Sequence, residues 1–163
     1  TRCQPVTGVQ TCALPISCFN KMISLSDNAC AESFLNAIGV STLTSEANAI
    51  GLKSSTFMKG GGPYTTANDQ ALLLGMIATG QNFSGANQQR LLEAMKKNVF
   101  RKGIPAGVSG TVADKVGFMN GLLHDSAIIY GSHGTYVLSI MTDGASWEAI
   151  ADLAKQLDAL QAQ

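Results

Sequence analysis

Apolar side chains recur at helical spacing through the first two thirds of the chain and at strand spacing after that. The spacing predicts a helix over Asn28 to Ile38, where Cys30, Phe34, Leu35 and Ile38 share a face. Asp27 and Asn28 supply capping oxygens at its start, and Gly39 ends it. A short helix over Thr42 to Ile50 closes at Gly51. The segment LKSSTFMKGGGPY, ending at Tyr64, reads as a loop with three consecutive glycines and a proline. Thr66-x-x-Asp69 resembles a capping box opening the helix ALLLGMIATG, which stops at Gly80. Ser84 caps the next helix, NQQRLLEAMKKN, with Leu91, Leu92 and Met95 inward.

After the Gly/Pro-rich RKGIPAGVSG the period changes to two. TVADKVGFM, SAIIYG and TYVLSIMT read as three strands, and Gly131-Ser132-His133-Gly134 joins the last two as a hairpin. Ser146 then caps a C-terminal amphipathic helix, WEAIADLAKQLDAL, with Trp147, Ile150, Leu153, Leu157 and Leu160 near one face. Segregated helices, an antiparallel sheet and a final helix laid on it make the expected fold class α+β. Residues 22–110 form the helical part, and residues 111–163 the strands and last helix. The pattern contains no internal repeat and no linker long enough to split domains. Met95, Met119 and Met141 are expected in the core, and His124-Asp125, just before the second strand, as a pair bracing the sheet.

Composition narrows the function classes. The 163 residues are 45% apolar and carry eleven Lys+Arg against eleven Asp+Glu, for a net charge of zero. Such a chain can build a core, and without a basic block nucleic-acid binding has no electrostatic support. No apolar run approaches the roughly 20 residues a membrane span needs. The four cysteines (Cys3, Cys12, Cys18, Cys30) crowd the start of the chain with no C-x-x-C pair. They therefore suggest neither a disulfide scaffold nor a zinc site. Cys30 is expected as a small core residue, and Cys18 carries no reading.

The opening TRCQPVTGVQTCALPIS follows neither period. A signal peptide needs an apolar core of about 7–15 residues, and Thr, Gln and Pro interrupt every candidate here. Val6 to Ile16, VTGVQTCALPI, instead matches the translation of a common short-read sequencing adapter. Residues 1–16 are therefore expected to be an assembly artefact, leaving a truncated domain over 17–163. Without them the net charge becomes −1, because they contain Arg2 and no acid.

Two short stretches could carry chemistry. Ser26-Asp27-Asn28 sits at the turn into a helix, where these residue types alone read as a cap. Lys115-Val116-Gly117 lies inside the first strand, where a lysine alone reads as a solvated position and a glycine as a bulge. Together, in this order and setting, they resemble the S-D-N and K-T-G motifs of class A β-lactamases and penicillin-binding proteins. The resemblance runs over residues 22 to 160. It takes in the helical stretch between the motifs, a hairpin ending MTDG and the final helix.

Acyl transfer needs a nucleophile, a base, a donor for the leaving nitrogen and groups that hold the substrate carboxylate and backbone. The resemblance implies that Ser26 relays a proton to the leaving nitrogen and that Lys115 attracts the carboxylate and tunes Ser26. It implies that Asn28 binds the substrate amide and that Asp27 braces the turn. Val116 and Gly117 would lie along the substrate, with the Phe118 N–H as half of an oxyanion hole. No cofactor is implied. A metal at His124-Asp125 would need further ligands, with only His133 left to supply one. Gly60 to Pro63 reads as a flexible loop, since no lysine-capped helix follows it.

Three departures matter. No serine is followed three positions later by lysine, so S-x-x-K is absent and no nucleophile is present; it belongs upstream of Ser26, where only Cys18 to Ser26 follow the opening stretch. Val116 replaces the usual Thr or Ser. No glutamate lies between Glu46 and Glu93 to match an E-x-x-L-N loop that hydrolyses the acyl-enzyme. The expected parent is a monomeric, secreted, periplasmic or cell-envelope hydrolase acting on β-lactams or peptidoglycan-type D-alanyl peptides. The chain as given is expected to be inactive and poorly stable alone. The alternative is a degenerate, non-catalytic domain of the same fold with a binding or structural role.

Overall fold

The computed structural model describes residues 16–57 and 62–161; the adapter reading, apart from Ile16, falls outside them. The first element, α1 (Ile16–Ser24), is not among the expected helices. It turns Phe19 edge-on to Phe34 of α2 (Asn28–Ile38), with ring centroids 6.4 Å apart. Cys18 of α1 and Cys30 of α2 form a disulfide, which corrects the expectation that the cysteines suggest none, while Cys30 is buried as expected. Cysteines twelve positions apart would be remote along one helix. Here the chain reverses between two helices and returns them to a Cα separation of 5.3 Å.

α3 (Val40–Ala49) follows directly from Gly39, whose φ of +90° allows the sharp junction. The next loop is fastened at its root. Buried Asp69 accepts from Ser54 N and Ser55 Oγ, both at 2.8 Å, while Thr56 and Tyr64 form an isolated antiparallel bridge. α4 (Ala67–Thr79) and α5 (Gly85–Lys96) begin at the caps read from the pattern, with Thr66 and Ser84 accepting from Asp69 N and Asn87 N. Asp69 bonds the preceding loop rather than the Thr66 amide, so only half of a capping box forms.

The Gly/Pro-rich RKGIPAGVSG contains a one-turn helix, α6 (Ile104–Gly107), with Pro105 in its first turn and Ile104 fully buried. β1 (Thr111–Met119), β2 (Leu122–Gly131) and β3 (Gly134–Asp143) form an antiparallel sheet in the order β1-β2-β3. Asn120 and Gly121 turn the first hairpin with φ of +52° and +87°, the conformation favoured by an Asn-Gly pair. β2 starts at Leu122, so His124 and Asp125 lie inside the strand. Adjacent strand residues face opposite ways, so they do not act as a pair.

Alternation along β1 sorts the packing. Ala113 and Ile128 face Leu74, Ile77 and Met95 of α4 and α5. Val112, Ala127 and Ile129 face Ile104, Ile150 and Ala154 of α6 and α7 (Trp147–Leu160). Helices therefore cover both sides of the sheet, and the expected α+β class holds. α7 buries Ile150 and Ala154, but Leu153 is 42% and Leu160 58% exposed. α6 lies against Ala151, so the buried stripe is rotated toward that side of the helix. Met119, expected in the core, is 62% exposed at the tip of the first hairpin.

Candidate active site

The two motifs meet. Lys115 Nζ donates to Ser26 Oγ, across 89 positions of sequence, and to the Val116 carbonyl at 2.8 Å. Ser26 stands in the break between α1 and α2 at φ +53°, a left-handed conformation that side-chain-bearing residues rarely adopt. Asp27 caps α2, accepting from Cys30 N at 2.8 Å. Asn28 is the first residue of that helix and is exposed, so its amide is open to a ligand. Ser24 O accepts from Val99 N at 3.0 Å, which ties the end of α1 to the chain leaving α5.

The Ser26 conformation yields an expected outcome. A left-handed residue with a Cβ costs roughly 1–2 kcal/mol, part of which glycine returns as unfolded-chain entropy. Ser26→Gly should leave the urea unfolding free energy equal to the parent or higher, despite losing the Lys115 bond. A clear loss of stability would mean that the hydroxyl, not a site requirement, holds the turn.

β1 is an edge strand whose free edge faces Ser26. The carbonyls of Val112, Asp114 and Val116 all accept side-chain donors: Arg101 and Asn98 from outside the sheet, and Lys115 folding back along its own strand. Backbone groups alternate sides along a strand, so the N–H of Phe118 projects off the same edge. Gly117 is exposed and carries no side chain between that edge and His124, its partner on β2. The Val116 side chain is only 5% exposed, so it offers a ligand little beyond its backbone. The Phe118 ring packs edge-on against Phe100 at 5.3 Å and Trp147 at 6.2 Å.

Burial lowers the Lys115 pKa from its ordinary value, and neighbouring Asp114 and Asp125 oppose that shift. Asp125 is expected from the sequence only as a partner of His124, and Asp114 not at all, although a signal was there. If Lys115 faces the cleft, strand alternation turns Asp114 inward among Val112 and Val116. An acid at an inward position is unusual enough to mark. Arg101 forms an ion pair with Asp114, and Asn98 Nδ2 bonds its other carboxylate oxygen at 2.8 Å.

Helices on both faces of an antiparallel sheet, with an S-D-N turn set against a lysine on the edge strand, define a β-lactamase-like serine hydrolase fold. A family model described as the β-lactamase enzyme family matches residues 16–161. The chain belongs to that family. Among solved structures it is similar to PBP-A, with 22% identity over 88% of this chain and 60% of that one and a TM-score of 0.81. It is likewise similar to a β-lactamase from Sphaerobacter thermophilus, at 21% identity, 90% and 62% coverage and a TM-score of 0.81. A β-lactamase from Streptosporangium roseum gives 22%, 94% and 67%, with a TM-score of 0.82. The chain thus spans 60–67% of the length of these proteins. At such identities the likeness is one of fold. Curated protein sequences give no match. Among the described residues no helix is long and apolar enough to cross a membrane.

Proposed function

We propose that this chain carries the S-D-N and K-x-G half of a serine acyl hydrolase acting on β-lactams or D-alanyl peptides. Its acylating serine would come from an S-x-x-K segment that the 163 residues do not contain. The contact between Lys115 and Ser26 carries the reading. An edge strand has no packing need for a partly desolvated lysine, whereas a proton relay to a leaving nitrogen needs an ammonium against a hydroxyl. In this reading Asn28 holds the substrate amide, Gly117 lets the substrate lie along β1, and the Phe118 N–H meets the developing oxyanion. A PBP-A variant is described as an acyl-enzyme complex with penicillin G, which supports β-lactams as one substrate class.

The buried Val116 and the absent loop glutamate favour a peptidase-like or slowly deacylating parent over an efficient β-lactamase. The Cys18–Cys30 disulfide fits an oxidising compartment, as expected of a secreted or periplasmic enzyme acting as a monomer. The same two departures favour the second reading, a non-catalytic domain that kept the fold.

Fluorescent penicillin separates the two. The 163-residue chain should take no covalent label, while the complete gene product with its upstream segment should be labelled at a serine in S-x-x-K. Labelling of the short chain would overturn the first reading. A complete product that lacks S-x-x-K and stays unlabelled would establish the second.

A further inference from the structure

Behind Lys115, on the opposite face of β1, the sheet buries two carboxyl groups. Asp114 and Asp125 are each 0% exposed, and the β1–β2 register puts both on the face toward α6 and α7. Their surroundings differ. Asp114 Oδ1 is paired with Arg101 and its Oδ2 receives the Asn98 amide, so both oxygens have donors suited to an anion. Asp125 Oδ2 accepts the Ile104 N–H at 2.8 Å, but its Oδ1 is buried with no hydrogen-bond partner among the described residues. Gly103 closes over this carboxyl so tightly that an added Cβ would lie 2.4 Å from Oδ2 and 3.3 Å from the Trp147 ring.

An ionised carboxylate with one oxygen cut off from both water and donors is strongly disfavoured, and a proton on that oxygen removes the charge. Burial pushes both carboxyls up to about 7. At Asp114 the neighbouring Asp125 adds to the rise, while Arg101 and Asn98 oppose it. At Asp125 the Ile104 backbone bond, the adjacent Ser126 backbone N–H, Arg101 and Lys115 oppose it. The other elements around Asp125 bring no further charge inward. β3 places Ile140 opposite it, α7 presents Trp147 and Ile150, and Glu148 and Lys102 are exposed.

We propose that Asp125 is held as the neutral acid in the folded chain, and that it is a positioning residue whose proton decides how much of the Lys115 charge is left for the Ser26 side. Neutral Asp125 still accepts from Ile104 and so fixes the α6 turn behind the K-V-G stretch. Ionised, it competes for Lys115 with whatever anion the cleft admits. The assignment of Lys115 to an anionic substrate rests on the proposed function; the protonation of Asp125 does not.

The test is carboxyl-carbon and lysine-nitrogen NMR on the full 163-residue chain between pH 4 and 9. The Asp125 Cγ should titrate near 7, against about 4 for an ordinary aspartate. Lys115 Nζ should shift in the same interval, and Asp125→Asn should reduce that shift to the part Asp114 supplies. A raised folded pKa gives stability that is present below about 4 and lost as pH rises through 7. The thermal midpoint should therefore fall from pH 5 to pH 8 in the parent and fall less in Asp125→Asn. A Cγ midpoint below 5 overturns the proposal, as does a Lys115 signal unmoved by Asp125. If penicillin labelling of the complete protein fails while Asp125 titrates near 7, the proposed function falls and this inference stands.

Discussion

Gly107→Ala is expected to destabilise the chain by about 3 kcal/mol or more, at the upper end for an overpacked contact. The cause is backbone meeting backbone. A Cβ at Gly107 would lie 2.0 Å from the Ala151 carbonyl oxygen, 2.9 Å from its carbon and 3.0 Å from Lys155 N. No rotamer change relieves such a clash, so α7 must move off α6. Ile150 and Ala154 are 1% and 0% exposed on that helix, so the movement opens the core on this side of the sheet. Gly75 supplies the control, because it lies inside α4 with nothing within 4 Å of its added Cβ. Gly75→Ala should stabilise by roughly 0.5–1 kcal/mol from helix propensity alone. Urea unfolding of both variants checks the pair. A Gly107→Ala protein within 1 kcal/mol of the parent would show that α7 is not seated on α6 as described.

Local chemistry made much of this architecture readable. Thr66, Ser84 and Ser146 each start a helix where capping oxygens are expected, and Gly131 and Gly134 bracket the second hairpin. What escaped depends on distant partners. α1 was missed because its nine residues abut the aperiodic opening stretch and none is fully buried; Phe34 and the disulfide hold it from outside. α6 was hidden because Gly103, Pro105 and Gly107 read as a loop, although Ile104 among them anchors the core. The α7 stripe is rotated by the α6 turn, which leaves Leu153 and Leu160 outside.

The candidate site divides the same way. Ser26, Asn28 and Lys115 were marked by motif order. Asp114, Asp125, Asn98 and Arg101 behind them form no motif and assemble only when β1 and β2 pair over the α6 turn. Stability and charge at the site are therefore tied to residues far from the motifs in sequence.

Reduction of the Cys18–Cys30 disulfide is expected to lower stability by about 3 kcal/mol, the loop-closure value for a ring of roughly this size. The loss should concentrate at the candidate site. The ring encloses Ser26 and Asp27, and α1 has no fully buried residue to hold it once the bond opens. What then remains is the Phe19–Phe34 edge contact, the Val99–Ser24 backbone bond and partial burial of Ile23. Ser26 sits in a left-handed conformation that unconstrained chain would abandon, taking the Lys115 contact with it. The sheet is held mainly by α4, α5, α6 and α7, so its amides should keep their hydrogen-exchange protection. Measurement with and without a phosphine reductant should show a lower urea midpoint and faster exchange from Ser26 to Cys30, with β2 unchanged until global unfolding. A Cys18→Ser/Cys30→Ser double variant should start at the reduced value and ignore the reductant. If reduction slows nothing and speeds nothing between Ser26 and Cys30, the turn is held by its own hydrogen bonds. In that case Asp27 as helix cap, through its 2.8 Å bond to Cys30 N, would be the residue to remove next.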